Sequence, residues 1–159
     1  MVATSATPAA GERVQRIFRE IETELGFGIV PNVFRSMAAN PAVLAAHWGM
    51  FKYTILDGEL PRAVKEMVGV VVSTVNNSEY AAKVHLHSLG VQGVNEAILA
   101  ILAGGGTAAE GLPAATCAML TFAQRVAQDR AAVSGDAMRD LEAAGFTPEE
   151  CREIVGSRA

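Results

Sequence analysis

At 159 residues the chain is long enough to bury a substantial core and is most simply one domain. A net charge of −4 and a pI near 5.4 give no basic footprint for nucleic acid, and the longest apolar run, Val68 to Val72, is far short of a membrane span. Charged residues are 19% and apolar residues 50% of the chain, against about 25% charged in an average soluble protein. Apolar faces left over after folding then need a partner, so a homo-oligomer is expected. The two cysteines, Cys117 and Cys151, lie too far apart in sequence to read as a disulfide framework and suit a reducing cytoplasm. Nothing at the N-terminus reads as a signal peptide.

Helical spacing dominates the chain in order. Residues 1–10 are rich in Ala, Thr, Ser and Pro and read as a disordered tail, leaving residues 11–159 as one helical domain. Val14, Ile17, Phe18, Ile21 and Leu25 form one face of a helix that Gly26 can end. Gly28 to Pro31 reads as a turn, and Pro31-Asn32 as the start of a short helix carrying Val33, Phe34 and Met37. Asn40-Pro41 is a cap followed by proline at the first helical position, opening a helix through Val43, Leu44, Trp48, Phe51 and Ile55 to Asp57-Gly58. Pro61 opens the next, toward Asn76. Its centre, Met67 to Val75, is β-branched and fits a buried strand by propensity alone, but a run of about 15 residues is too long for a typical strand. Asn76, Asn77 and Ser78 are capping types, so a helix begins there and runs to Leu89. Further helices are expected from Asn95 to the glycine triplet at 104–106, from Pro113 to Asp129, from Ser134-Gly135-Asp136, and from Thr147-Pro148-Glu149-Glu150, a capping box. With no hairpin signal, the fold class is all-α.

The stretch from Glu66 to His85 carries the chemistry. Glu66, Ser78, Ala81 and His85 stand at the spacing of a Glu-x11-Cys-x2-Cys-x3-His arrangement, with serine and alanine in both thiol positions. A peroxidatic cysteine must give up its proton to attack a peroxide, and a second cysteine one turn on resolves the sulfenic acid. A histidine a turn further and a carboxylate on the preceding helix can relay that proton. Here the relay residues remain and the nucleophile does not: a serine hydroxyl cannot be cycled through this oxidation, and alanine resolves nothing.

These residues resemble the alkylhydroperoxidase D and carboxymuconolactone decarboxylase superfamily. The likeness runs from Gly26 to Gly104, through Pro61-Arg62, Glu66, the valine run, Asn76, Tyr80, His85 and Gly93. The upstream Gly28-to-Arg35 segment with Asn40-Pro41 resembles the peroxidase-related branch. The resemblance implies a compact multi-helix domain of the alkylhydroperoxidase D-like type, association into oligomers, and catalytic roles for Glu66 and His85, with Tyr80 where a histidine often stands between the cysteines. Decarboxylase-type members also lack the cysteine pair, so Ser78 and Ala81 fit the superfamily while removing the warrant for peroxidase activity.

Each candidate residue also has a plainer reading. His85 and His87 point about 200° apart on a helix, so only one faces a site, and the family spacing favours His85. That histidine equally suits a core hydrogen bond. Glu66 reads as a solvated carboxylate, or as a buried one that holds an imidazolium or orients a tautomer. Ser78 reads as a helix cap, or as a hydroxyl offered to a ligand together with Tyr80. His47-Trp48 is read as packing. Cys117 is expected to be buried and inert, and Cys151, beside two glutamates, to be a poor nucleophile. Three histidines without clustered cysteines or carboxylates argue against a metal site, and no cofactor is expected. The leading functional expectation is proton-transfer chemistry by Glu66 and His85 on a small carbonyl or lactone-like substrate. The alternatives are a non-catalytic oligomeric binding or scaffold protein, and last an antioxidant peroxidase-related protein using Cys117 or Cys151.

Overall fold

Most caps and turns read from the sequence fall where the helices of the computed structural model begin and end; the helix expected to stop at Leu89 continues through Gly90 to Val91. The structure describes residues 8–157 and is all-α, with no strand among the described residues. By their contacts the described residues group into two compact units, within residues 1–53 and 54–159. Of the expected tail, residues 1–7 lie outside the described residues, and 8–10 already belong to the first helix.

In the first unit, α1 (Pro8–Leu25) buries Val14, Ile17, Ile21 and Leu25, and Gly26 follows it at a φ of 73°, a conformation glycine adopts without strain. The short α2 (Asn32–Arg35) buries Phe34. α3 (Pro41–Phe51) is capped by Asn40, whose side-chain oxygen accepts from the Ala42 and Val43 amides at 3.2 Å each. It packs on α1 around an aromatic cluster in which Phe34 meets the Trp48 and Phe51 rings edge-on at 5.6 and 5.7 Å. Lys52 lies over Trp48 at 5.5 Å and pairs with Glu20. The expected continuation of this helix through Ile55 changes its winding: Lys52–Leu56 form a π-helical turn, in which the i→i+5 pattern shifts the side chains around the axis.

The second unit is built on α4 (Arg62–Val75), which packs against α5 (Glu79–Val91), α6 (Glu96–Ala103) and α7 (Ala114–Gln128). Every residue from Lys65 to Ser73 is buried. A helix enclosed on all sides needs no polar face, which is why its valine run imitates a strand. Leu89, Leu102, Met119, Leu120 and Val126 close the core around it. The turn into α5 puts Asn77 at a φ of 55°, which asparagine tolerates better than most residues. Contacts between Arg62 and Ser88 and between Glu66 and His85 run in opposite sequence order, so α4 and α5 are antiparallel neighbours.

α8 (Gly135–Ala143) and α9 (Pro148–Gly156) complete the unit, α9 opening with the expected capping box at Thr147 and Glu150. From α9 the Glu153 carboxylate reaches the segment before α4. It accepts the Glu59 amide at 2.6 Å and the Leu60 amide at 3.1 Å, and the buried Lys65 ammonium stands 3.6 Å away. Lys65 also donates to the Asp57 carbonyl. Gly58, at a φ of 120°, passes so close that an added Cβ would lie 2.3 Å from Glu153 Oε1. Among the described residues no helix is long and apolar enough to cross a membrane.

Candidate active site

Glu66 sits in the first half of α4 with its side chain only 1% exposed. A buried carboxylate must be paired or hydrogen-bonded, and α5 supplies the partners. His85 Nδ1 lies 2.5 Å from Glu66 Oε2, and Ser88, one turn along α5, donates its hydroxyl to Glu66 Oε1 at 2.6 Å. Arg62, one turn earlier on α4, donates Nε to Oε1 at 3.2 Å and Nη2 to Ser88 Oγ at 3.0 Å. Gln92 Nε2 reaches both the Ser88 hydroxyl and its carbonyl at 3.2 Å. Burial pushes the Glu66 carboxyl up, but the His85 bond and charge, the Ser88 hydroxyl and the Arg62 charge together hold it below its ordinary value. The carboxylate therefore stays ionised. The His85 side chain is 16% exposed, so one partner of the pair is sealed inside and the other reaches solvent.

The closeness of the two helices depends on a glycine. Gly69 is one turn after Glu66, and a Cβ there would fall 2.6 Å from His85 Cε1 and 2.7 Å from both ring nitrogens. The ring lies against bare α4 backbone. Gly69→Ala would gain about 1 kcal/mol of helix propensity, yet it must expel a ring held by a charge-assisted bond worth about 1.5–3 kcal/mol. The expected result is a net loss of stability by urea denaturation, where the same change at an exposed helix glycine would be favourable.

The family model for the carboxymuconolactone decarboxylase family matches residues 41–125, more than half of the chain. The protein belongs to this family. Over 100 residues, 63% of the chain, it is 30% identical to an alkyl hydroperoxide reductase of Mycobacterium tuberculosis; the match covers 28% of that protein, so the chain spans less than a third of its relative's length. The fold is similar to an alkylhydroperoxidase AhpD core, a peroxidase-related protein from Ralstonia eutropha JMP134, at a TM-score of 0.83 and 25% identity, covering 99% of this chain and 85% of that one. A peroxidase-related protein from Silicibacter sp. TM1040 gives a TM-score of 0.84 at 22% identity, covering 99% and 81%. The debrominase Bmp8, solved with 2,3,4-tribromopyrrole, gives 0.78 at 21% identity, covering 99% and 82%.

Within this carboxymuconolactone decarboxylase family chain, the sequence candidates separate. Glu66 and His85 meet directly. Ser78 and Tyr80 lie on the exposed surface at the start of α5, about two and about one and a half turns before His85. Ser78 occupies the cap position, but its side chain makes no capping bond. Cys117 is half-buried rather than buried, because α7 turns Thr116, Met119, Leu120 and Ala123 inward and leaves Cys117 at the flank. Cys151 is fully buried, and burial with Glu142 and Glu150 pushes its thiol up. Both thiols are free. Among the described residues no group of three or more His, Cys, Asp or Glu side chains is arranged to hold a metal. Arg62, Ser88, Gln92 and Gly69 are the site residues that the sequence reading passed over.

Proposed function

We propose that this member of the carboxymuconolactone decarboxylase family works without a redox dithiol, and that Glu66 and His85 transfer a proton on a small carbonyl or lactone-like substrate. The observation that carries the reading is the 2.5 Å contact between a sealed, ionised Glu66 and a His85 that reaches solvent. A carboxylate on one ring nitrogen orients the imidazole and stabilises the imidazolium formed when the other nitrogen takes a proton. The acid–base group is then His85, and Glu66 orients it. Ser78 and Tyr80, exposed at the head of α5, are proposed ligand contacts. The rival reading, a non-catalytic oligomeric scaffold, is favoured less because a purely structural histidine needs no buried ionic partner.

The test separates binding from chemistry. A panel of small carboxylated γ-lactones and β-keto acids is screened by thermal shift, and the compounds that bind are followed in D2O by NMR. Deuterium uptake at the carbon beside the carbonyl, lost in His85→Gln, supports the reading. Binding without uptake in the wild type identifies a scaffold.

The reading also predicts that hydroperoxide consumption coupled to a dithiol reductant stays at background. Serine and alanine fill the thiol positions, and the buried Cys151 thiol is held protonated. Robust turnover that alkylation abolishes would restore the peroxidase alternative. We further propose a homo-oligomer in the cytoplasm. Its support is the low charge content together with exposed Ile29, Met50, Tyr80, Val91 and Ile101. Light scattering is expected to give a multiple of 16.7 kDa at micromolar concentration, and a monomer across a wide concentration range refutes it.

A further inference from the structure

We propose that Ser88, backed by Arg62, is a positioning residue that keeps the proton shared by Glu66 and His85 on the imidazole Nδ1, which leaves Nε2 as the working nitrogen. What Nε2 then does rests on the proton-transfer reading above; where the proton lies does not.

The 2.5 Å bond between Glu66 Oε2 and His85 Nδ1 has two arrangements. Either Nδ1–H donates to a carboxylate, or a carboxylic acid donates to a bare Nδ1. The choice is made at the other carboxyl oxygen. Ser88 Oγ has one proton and two lone pairs. Arg62 Nη2, 3.0 Å away, can only donate to it. Gln92 Nε2, 3.2 Å away, is the donor end of its amide because it also lies 3.2 Å from the Ser88 carbonyl oxygen. Two donors occupy the hydroxyl's lone pairs, so its own proton points to Glu66 Oε1 at 2.6 Å. Arg62 Nε adds a second donor and a full positive charge on the same oxygen.

Two donors and a cation on Oε1 stabilise the carboxylate and penalise the neutral acid. The shared proton therefore stays on Nδ1. In the neutral ring Nε2 is then an acceptor, the state a general base requires. Ser88 does not touch the reacting atoms. Its part is to convert the charge of Arg62 and the amide of Gln92 into a fixed O–H direction.

The experiment is NMR of the full-length protein labelled with 15N-histidine and 13C-glutamate, comparing wild type, Ser88→Ala, Ser88→Thr and Arg62→Gln. His85 and Glu66 are assigned by His85→Gln and Glu66→Gln. The wild type is expected to show Nδ1–H at mildly alkaline pH. Ser88→Ala shifts the ring nitrogens toward a mixture of tautomers and moves the Glu66 carboxyl titration upward, and Ser88→Thr, which keeps the hydroxyl, restores both. Arg62→Gln, on a side chain 21% exposed, moves both signals the same way and serves if Ser88→Ala fails to fold. An Nε2–H ring in the wild type overturns the inference, as do unchanged His85 and Glu66 signals in either variant. Failure of every compound to take up deuterium would defeat the proposed function and leave these spectra standing.

Discussion

Replacing Glu66 with alanine is expected to destabilise the second unit by about 3–5 kcal/mol, the usual cost of removing one partner from a buried ionic cluster. The loss is large because Glu66 is shared. Arg62 Nε, the Ser88 hydroxyl and His85 Nδ1 all converge on it, and alanine takes the shared partner from all three at once, leaving the buried Ser88 hydroxyl and the largely buried Arg62 and His85 without it. Glu66→Gln keeps the shape and part of the hydrogen bonding, so it should cost less than alanine. The same residue sets a pH dependence. Folded Glu66 binds its proton more weakly than the ordinary glutamate value of 4.5. Its contribution is therefore complete above that value and drains away as pH falls through the lower folded one. Urea midpoints measured from neutral to acidic pH should fall on the acid side in the wild type, and fall less steeply in Glu66→Ala. Parallel pH profiles for the two proteins would contradict this.

The second large effect is expected at Glu153. Glu153→Ala removes the acceptor of the Glu59 and Leu60 amides and the ionic partner of Lys65, whose side chain is 1% exposed. Lys65 is then a buried cation held by the Asp57 carbonyl without its carboxylate, and the cost should again be about 3–5 kcal/mol. Burial pushes the Glu153 carboxyl up, but the two amides and Lys65 outweigh it and hold the group below 4.5. Its stabilisation is likewise present above that value and lost in acid. Lys65→Met in the Glu153→Leu background should recover much of the loss, because replacing both charges removes the stranded one. A Glu153→Ala variant within about 0.5 kcal/mol of wild type, the range of an ordinary surface change, would show that the clamp contributes little.

The fold was legible in the sequence wherever local chemistry decides. Asn40, Asn95 and Thr147 cap helices as their residue types imply, and the inward stripe of α1 follows from spacing alone. The π-helical turn at Lys52–Leu56 was not, because no local signal distinguishes its winding from one more α turn. Of the candidate site, Glu66 and His85 were named from the family-like spacing and stand in contact, while Ser88 and Gln92 continue the His85 stripe at i+3 and, at the C-cap of α5, i+7 and were passed over. Arg62 lies four residues before Glu66, a spacing that places both on one face. Gly69 could not be valued until α5 was known to press on it. Whether Glu66 faced solvent or core was a question of helix rotation, which packing settles: Lys65 and Glu66 are charged yet both buried, so the polar residues of α4 do not mark a solvent face.

The most direct measurement is a double-variant cycle on the proton-transfer rate itself. Deuterium uptake into the best-bound lactone or keto acid is compared for wild type, Glu66→Gln, His85→Gln and the double variant, each checked for folding. If a carboxylate-oriented imidazole performs the transfer, each single change costs about 10²–10⁴-fold. The double variant then loses little more than His85→Gln alone, because the two residues act as one unit. Losses that multiply in the double variant, or uptake that survives at the wild-type rate in His85→Gln, would contradict the pair as the seat of the chemistry.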